Sequence, residues 1–182
     1  MLGVLIVSVT ACSKTVTWTE EVELSNGQTI FIERETKHRP GGVEWVRGSG
    51  WKPEQYIIRF QYPPGLGHMI EWRSTKISPA TYPEFPLLLD TEPKKDIPFL
   101  VSIHWPKDGC FEYVRYVARE GSWVEDPLLA EFEPIPANLI LGAAGLDLPK
   151  KVTLELKRRV NADIGYRKRL KQIGPKQSAC GA

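Results

Sequence analysis

The side chains able to do covalent or acid–base chemistry are few. The cysteines are Cys12, Cys110 and Cys180, and the histidines are His38, His68 and His104. A serine nucleophile on a Gly-x-Ser-x-Gly elbow is missing, as are a Gly-x-x-x-x-Gly-Lys phosphate loop and a His-Glu-x-x-His metal pair. Gly48-Ser49-Gly50 is not followed by a helical pattern, so it lacks the helix N-terminus that a phosphate cradle needs. His104 and Cys110 supply two metal ligands at best, short of a structural zinc set. No catalytic residue, cofactor or metal is therefore expected. His38 reads as a solvated loop residue and His68 as the opening of a strand. His104 alternates to the face opposite Ile103 and Trp105, which points it to the surface. The carboxylate pairs Glu20-Glu21 and Asp90/Glu92 read as water-facing. One enzymatic alternative remains, a small hydrolase with a site near His104 and Asp108, because both sit at a strand–turn junction where sites often lie.

Cys12 has the most specific setting. Residues 2–9 are an uncharged, mostly apolar run, followed by Thr10-Ala11-Cys12 and then the polar Ser13-Lys14-Thr15. A short apolar run ending in small residues matches the core and cleavage site of a secretory signal. Val9-Thr10-Ala11-Cys12 resembles the lipobox of bacterial lipoproteins. The pattern departs from the usual form in one respect, since no Lys or Arg precedes the run. The resemblance implies cleavage before Cys12, diacylglyceryl transfer to its thiolate, and a mature chain held to a membrane by acyl chains. Each buried CH₂ of such chains contributes about 0.8 kcal/mol. Ser13 in the next position implies sorting to the outer membrane, with the protein facing the periplasm.

Export bears on the other two cysteines. With Cys12 lipidated, Cys110 and Cys180 remain as an even pair in an oxidising compartment. A bridge between them is expected to pin the tail to the body, a constraint of roughly 4 kcal/mol on the chain-entropy model. The charge is unevenly spread. Residues 150–176 hold ten Lys/Arg and two Asp/Glu, whereas the whole chain of 182 residues is only +2. Residues 1–149 are therefore net acidic. Lys157, Arg158, Arg159, Arg167, Lys168, Arg169 and Lys171 are candidates for contact with anionic lipid or an acidic protein. The competing reading docks this segment on the chain's own acidic body. Nucleic acid is not an expected partner of an exported chain.

The elements that must position these groups are mostly strands. The chain carries six each of Trp, Tyr and Phe, and fifteen each of Gly and Pro. That composition suits short strands and many turns. Thr15–Leu24 alternates and meets Asn26-Gly27, a hairpin signal. A strand over 29–37 follows. A two-residue turn would set Leu24 opposite Thr29, while one extra loop residue would set it opposite Ile30; both registers stay open. Residues 38–53 read as a loop. Alternation predicts strands over 55–62, 68–74, 99–105 and 111–118, with a short apolar run at 86–89 and a return at Trp123. Val152, Leu156, Val160 and Ile164 recur every four residues, which predicts a helix over 150–171. The expected organisation is a signal peptide over 1–11, a mostly-β domain over 12–146, a basic helix over 147–174 and a tail over 175–182. The fold class is antiparallel hairpins in a sheet or sandwich with a C-terminal helix.

Trp18-x-x-x-Val22-x-Leu24, Asn26-Gly27, Cys110, Tyr113, Tyr116, Gly121-Ser122-Trp123 and Pro136-Ala137-Asn138-Leu139 occur in an order similar to a group of bacterial envelope lipoproteins. That resemblance implies the anchor and a mostly-β body, with a binding or structural role. It implies no reaction.

Overall fold

The computed structural model describes residues 13–41, 50–65, 67–93, 95–107, 109–128, 134–141, 147–162 and 168–174. The fold is mostly β, with helix confined to the C-terminal part of these residues. The first sheet contains β1 (Lys14–Glu23), β2 (Thr29–Pro40), β3 (Trp51–Tyr62) and β4 (His68–Arg73) as an antiparallel meander. The second contains β5 (Phe85–Thr91), β6 (Pro98–His104), β7 (Glu112–Arg119) and β8 (Ser122–Asp126), again in chain order.

Alternation explains the first sheet. Trp18, Glu20 and Val22 on β1, Ile30, Ile32 and Arg34 on β2, and Tyr56, Ile58 and Phe60 on β3 share its inner face and are buried. Glu33, Arg59 and Glu71 share the outer face, where Arg59 donates to Glu33, Glu35 and Glu71. The three carboxylates around it hold the Arg59 pKa above its ordinary value.

The β1–β2 hairpin matches neither anticipated register. Val22 lies opposite Ile30, and Leu24 N–H donates to the Gln28 carbonyl. Ser25-Asn26-Gly27 is thus a three-residue loop with Gly27 at φ 82°, the left-handed position that such loops assign to glycine. The apolar side chains of the two strands still share one face. At the other end of the pair the strands outrun expectation. His38, Arg39 and Pro40 pair with Pro53, Lys52 and Trp51 across a bulge at Lys37/His38, so 38–53 is not wholly loop.

The second sheet has both faces covered. All seven residues of β5 and all seven of β6 are buried. On one side, Trp72 of β4 meets the Tyr116 ring edge-on at 5.8 Å, and Phe60 meets Trp123 at 6.4 Å. On the other, Tyr113 donates to the Gln172 carbonyl, and Leu128, Leu170 and Ile173 join the core. A short bridge of β9 (Ile135–Pro136) with β11 (Gln172–Ile173) closes that layer. The ties between the sheets include a buried carboxylate. Glu84 accepts from Thr75 N, Lys76 N, Ser102 Oγ and the Tyr116 hydroxyl. Burial first, then the Glu84 charge, push the Tyr116 hydroxyl well above its ordinary pKa of 10.0.

The anticipated long helix is divided. Lys151–Val152 forms β10, paired in parallel with Thr19 and Glu20 of β1. Helix α1 runs Leu154–Ala162, and α2 is the single turn Lys168–Lys171. Val152 thus belongs to a strand, although it falls on the same four-residue repeat as Leu156 and Val160. All three pack against Trp18, Ile140 or their neighbours.

Trp72 is 1 % exposed and sits between the sheets. Trp72→Ala is expected to lower unfolding stability by about 3–5 kcal/mol, read from the urea midpoint at unchanged slope.

Candidate functional site

The largest departure from the sequence expectation lies on β1. Glu20 was expected in water; it is 0 % exposed. Its alternation places it on the inner face with Trp18 and Val22, away from bulk solvent. A buried carboxylate persists only when charge and hydrogen bonds replace that water. Arg34 Nη1 donates to Glu20 Oε2 at 3.1 Å, and Ile140 N–H donates to Oε1 at 2.7 Å. Lys157 Nζ lies 3.4 Å from Oε1 and also donates to the Glu21 carbonyl. The Arg34 guanidinium stands over the Trp18 ring, 5.2 Å from its centroid. Two buried cations therefore share one buried carboxylate. Burial lowers the Lys157 pKa below its ordinary 10.5, with Glu20 opposing. Desolvation likewise lowers that of Arg34.

Glu21, on the other face, caps the helix. It accepts from Leu154 N–H, the start of α1, and pairs with Lys151 at 3.3 Å. The backbone hydrogen bond comes first among the causes that lower its pKa. Arg158 pairs with Glu23 at 3.1 Å on the surface. The helix is thus clamped to β1 by Glu20, Glu21 and Glu23 or their backbone.

Against this clamp lies a cleft of about 460 Å³. Its wall is largely apolar: Leu24, Leu88, Ile135, Ala137 and Leu154. Glu23, Asp90, Lys157 and Arg158 supply the charged groups. Asp90 Oδ1 accepts from Ser25 N and Oγ at the hairpin turn. Asn138 bridges the two sheets, donating to the Glu23 and Leu89 carbonyls while accepting from Leu89 N–H. Asn161 of α1 brackets the same segment, accepting from Leu141 N–H and donating to the Leu139 carbonyl. Segment 138–141 therefore has its backbone held by the Glu20 carboxylate of the first sheet, the Leu87 carbonyl of the second and Asn161 of the helix. The geometry suits holding an apolar molecule of small-ligand size.

The other candidate residues are scattered. His38 is 0 % exposed on β2, and His104 is 8 % exposed at the end of β6; both were expected in water. His38 is engaged by a partner, so neither its loop nor its solvated state holds. His104 lies opposite Glu112, while Asp108 lies outside the described residues. Both faces of β6 are covered, which is why alternation misplaced His104. Ser102 donates to Glu84 at 2.6 Å but is 0 % exposed, so no substrate reaches it. His68 is exposed and begins β4, as expected.

Of the seven cationic candidates, Lys157 is buried against Glu20 and serves the chain's own fold, while Arg158 stays exposed beside Glu23 on the surface. Arg159 is exposed, and Lys171 donates to the Ala162 carbonyl at 2.7 Å. Arg167 and the side chains of Lys168 and Arg169 lie outside the described residues, as do Cys12, Cys180, the signal segment 1–11 and the tail 175–182. Cys110 is 3 % exposed and engaged. Among the described residues no group of three or more His, Cys, Asp or Glu is placed to hold a metal ion. None of the helices there is long and apolar enough to cross a membrane. Comparison with family models, with curated proteins and with solved structures finds no match to this chain.

The two sides of the clamp respond differently to substitution. Glu20→Gln strands two buried cations and is expected to cost about 3–5 kcal/mol. Lys157→Met leaves Glu20 with Arg34 and the Ile140 amide, a balanced pair, and is expected to change stability by under about 1 kcal/mol. Chemical denaturation of both variants checks the asymmetry. A separate acid limb comes from Glu92, whose pKa Arg115 holds below its ordinary 4.5. That stabilisation is complete above pH 4.5 and is lost as pH falls through the lowered folded value. A Glu92→Gln melt series between pH 6 and about 2.5 should show a shallower loss of Tm than wild type.

Proposed function

We propose that this chain is a bacterial envelope lipoprotein, fastened by lipid on Cys12 to the outer membrane and facing the periplasm. Its β body acts there as a binding module, and the cleft beside α1 takes a small, mostly apolar ligand. The cleft carries the reading. It has the volume of a small-molecule site, an apolar wall, and charged groups set at few positions. Its floor is held by Asn138 and Asn161 through five hydrogen bonds, so it is formed before a ligand arrives. The apolar run before Thr10-Ala11-Cys12 supports the anchor, and β1 beginning at Lys14 leaves almost no linker between lipid and body. In that oxidising compartment Cys110 pairs with Cys180, and the burial of Cys110 suits a bridge protected from reductant.

Mass spectrometry of the membrane-derived N-terminal peptide is expected to show acylated Cys12, and Cys12→Ala should move the protein to the aqueous phase on detergent partitioning. An unmodified Met1 peptide from membranes contradicts the anchor. For the cleft, the probe is the apolar anionic dye anilinonaphthalene sulfonate. Ala137→Trp, which fills the cleft, should weaken dye binding at least about tenfold at unchanged Tm, and equal binding by both proteins contradicts the site.

A further inference from the structure

The anchor and the sheet register together fix which end of the sandwich meets the bilayer. Cys12 precedes the first strand residue by two positions, at most about 7 Å of chain. Lys14 lies opposite His38, and Arg39 opposite Lys52, so these residues share the end of the sheet where β1 begins. The turn between β4 and β5 sits at the same end, since Arg39 and Lys52 both donate to Thr81 Oγ1. That turn presents Ile77, 61 % exposed, and Tyr82, 36 % exposed, with the Lys52 ammonium 4.4 Å from the Tyr82 ring centroid. Lys107, in the β6–β7 connection, adds a further cation at this end, and the described carboxylates there include Glu54, Glu112, the buried Glu84 and Glu125, which pairs with Lys76 of the turn at 2.9 Å. The opposite end carries Glu23, Asp90, Glu92, Asp96 and Glu120, with Lys95, Arg115, Arg119 and Arg158 beside them. Nine residue steps of β1 separate the two ends, roughly 30 Å.

We propose that the end bearing Lys14, Lys37, Arg39, Ile77 and Tyr82 rests on an anionic bilayer surface, with the cleft held at the far end of the body. The inference rests on lipidation of Cys12. Its chemistry is that of an interfacial contact. Cations attract anionic headgroups, and an aliphatic side chain and a tyrosine ring enter the headgroup boundary. The acyl chains alone would hold the protein in any orientation that two residues of linker permit. Among those, Lys14, Lys37 and Arg39 favour the one that sets this end on an anionic surface, because at the far end Lys95, Arg115, Arg119, Arg158 and the exposed Arg159 stand among the carboxylates and leave no comparable net charge.

The test uses the full-length mature lipoprotein reconstituted into vesicles of phosphatidylcholine alone or with about one third phosphatidylglycerol. Amide hydrogen exchange is followed by mass spectrometry, and the same spectra read acylation of Cys12. Anionic vesicles should slow exchange across 76–82 at least about threefold over neutral ones while leaving 92–97 unchanged, with the difference removed by 0.5 M salt. The Lys14→Glu/Lys37→Glu variant should lose that protection at unchanged Tm, and Ile77→Ser should reduce it. An acylated chain whose 76–82 segment exchanges equally on both vesicles overturns the proposal and leaves the anchor standing. An acylated chain protected at 92–97 instead overturns the orientation. A bare Cys12 with salt-sensitive protection of 76–82 overturns the anchor and supports the surface.

Discussion

A carboxylate closed off from bulk solvent organises this molecule. Glu20 is fully buried on β1, and each of its oxygens has a partner from a different part of the chain. Arg34 comes from the neighbouring strand, Ile140 from the segment after the second sheet, and Lys157 from the helix. An ion taken out of water costs several kcal/mol unless such partners are in place. The surroundings of Glu20 therefore form together or fail together. The consequence reaches the cleft, because α1 and segment 138–141 are two of its walls.

Buried ion clusters seldom add net stability over a well-packed apolar equivalent. The value of this one lies in position. Helix α1 is only nine residues long, too short to persist by itself, and its apolar residues touch a small core built on Trp18, Ile140 and Val152. Apolar packing of that size tolerates sliding. A charge pair with fixed partners does not, and the Glu21 cap on Leu154 sets the height of the helix along β1. Lys157 carries a cost in return, visible in its lowered pKa.

Much of the strand order was legible in the residues. Alternation over 55–62, the Asn26-Gly27 turn and the return at Trp123 each marked an element that exists. Failures share one cause. The expectation that a polar side chain faces water fails, since Glu20, His38, Asp90 and His104 are all buried. Alternation with Trp18 and Val22 sets Glu20, and not Glu21, on the inner face; what the residues around it do not show is that Ile140 and Lys157, more than a hundred positions away, come to partner it there. The same blindness made 150–171 one helix, since the spacing of Val152 from Leu156 is equally that of a strand residue followed by a helix. The competing expectation that the basic segment docks on the acidic body did foresee its ion pairs, at Lys151, Lys157 and Arg158.

Exchange of the Ile140 amide hydrogen tests the role of Glu20 most directly, because that hydrogen lies on the carboxylate itself. If the cluster locks helix, segment and strand into one unit, native-state exchange at Ile140 requires global unfolding. Its opening free energy then equals that of the Ile32 and Ile58 amides in the first sheet, and its denaturant dependence equals theirs. Exchange at Ile140 by a small, denaturant-independent opening, while those strand amides remain protected, would contradict the account.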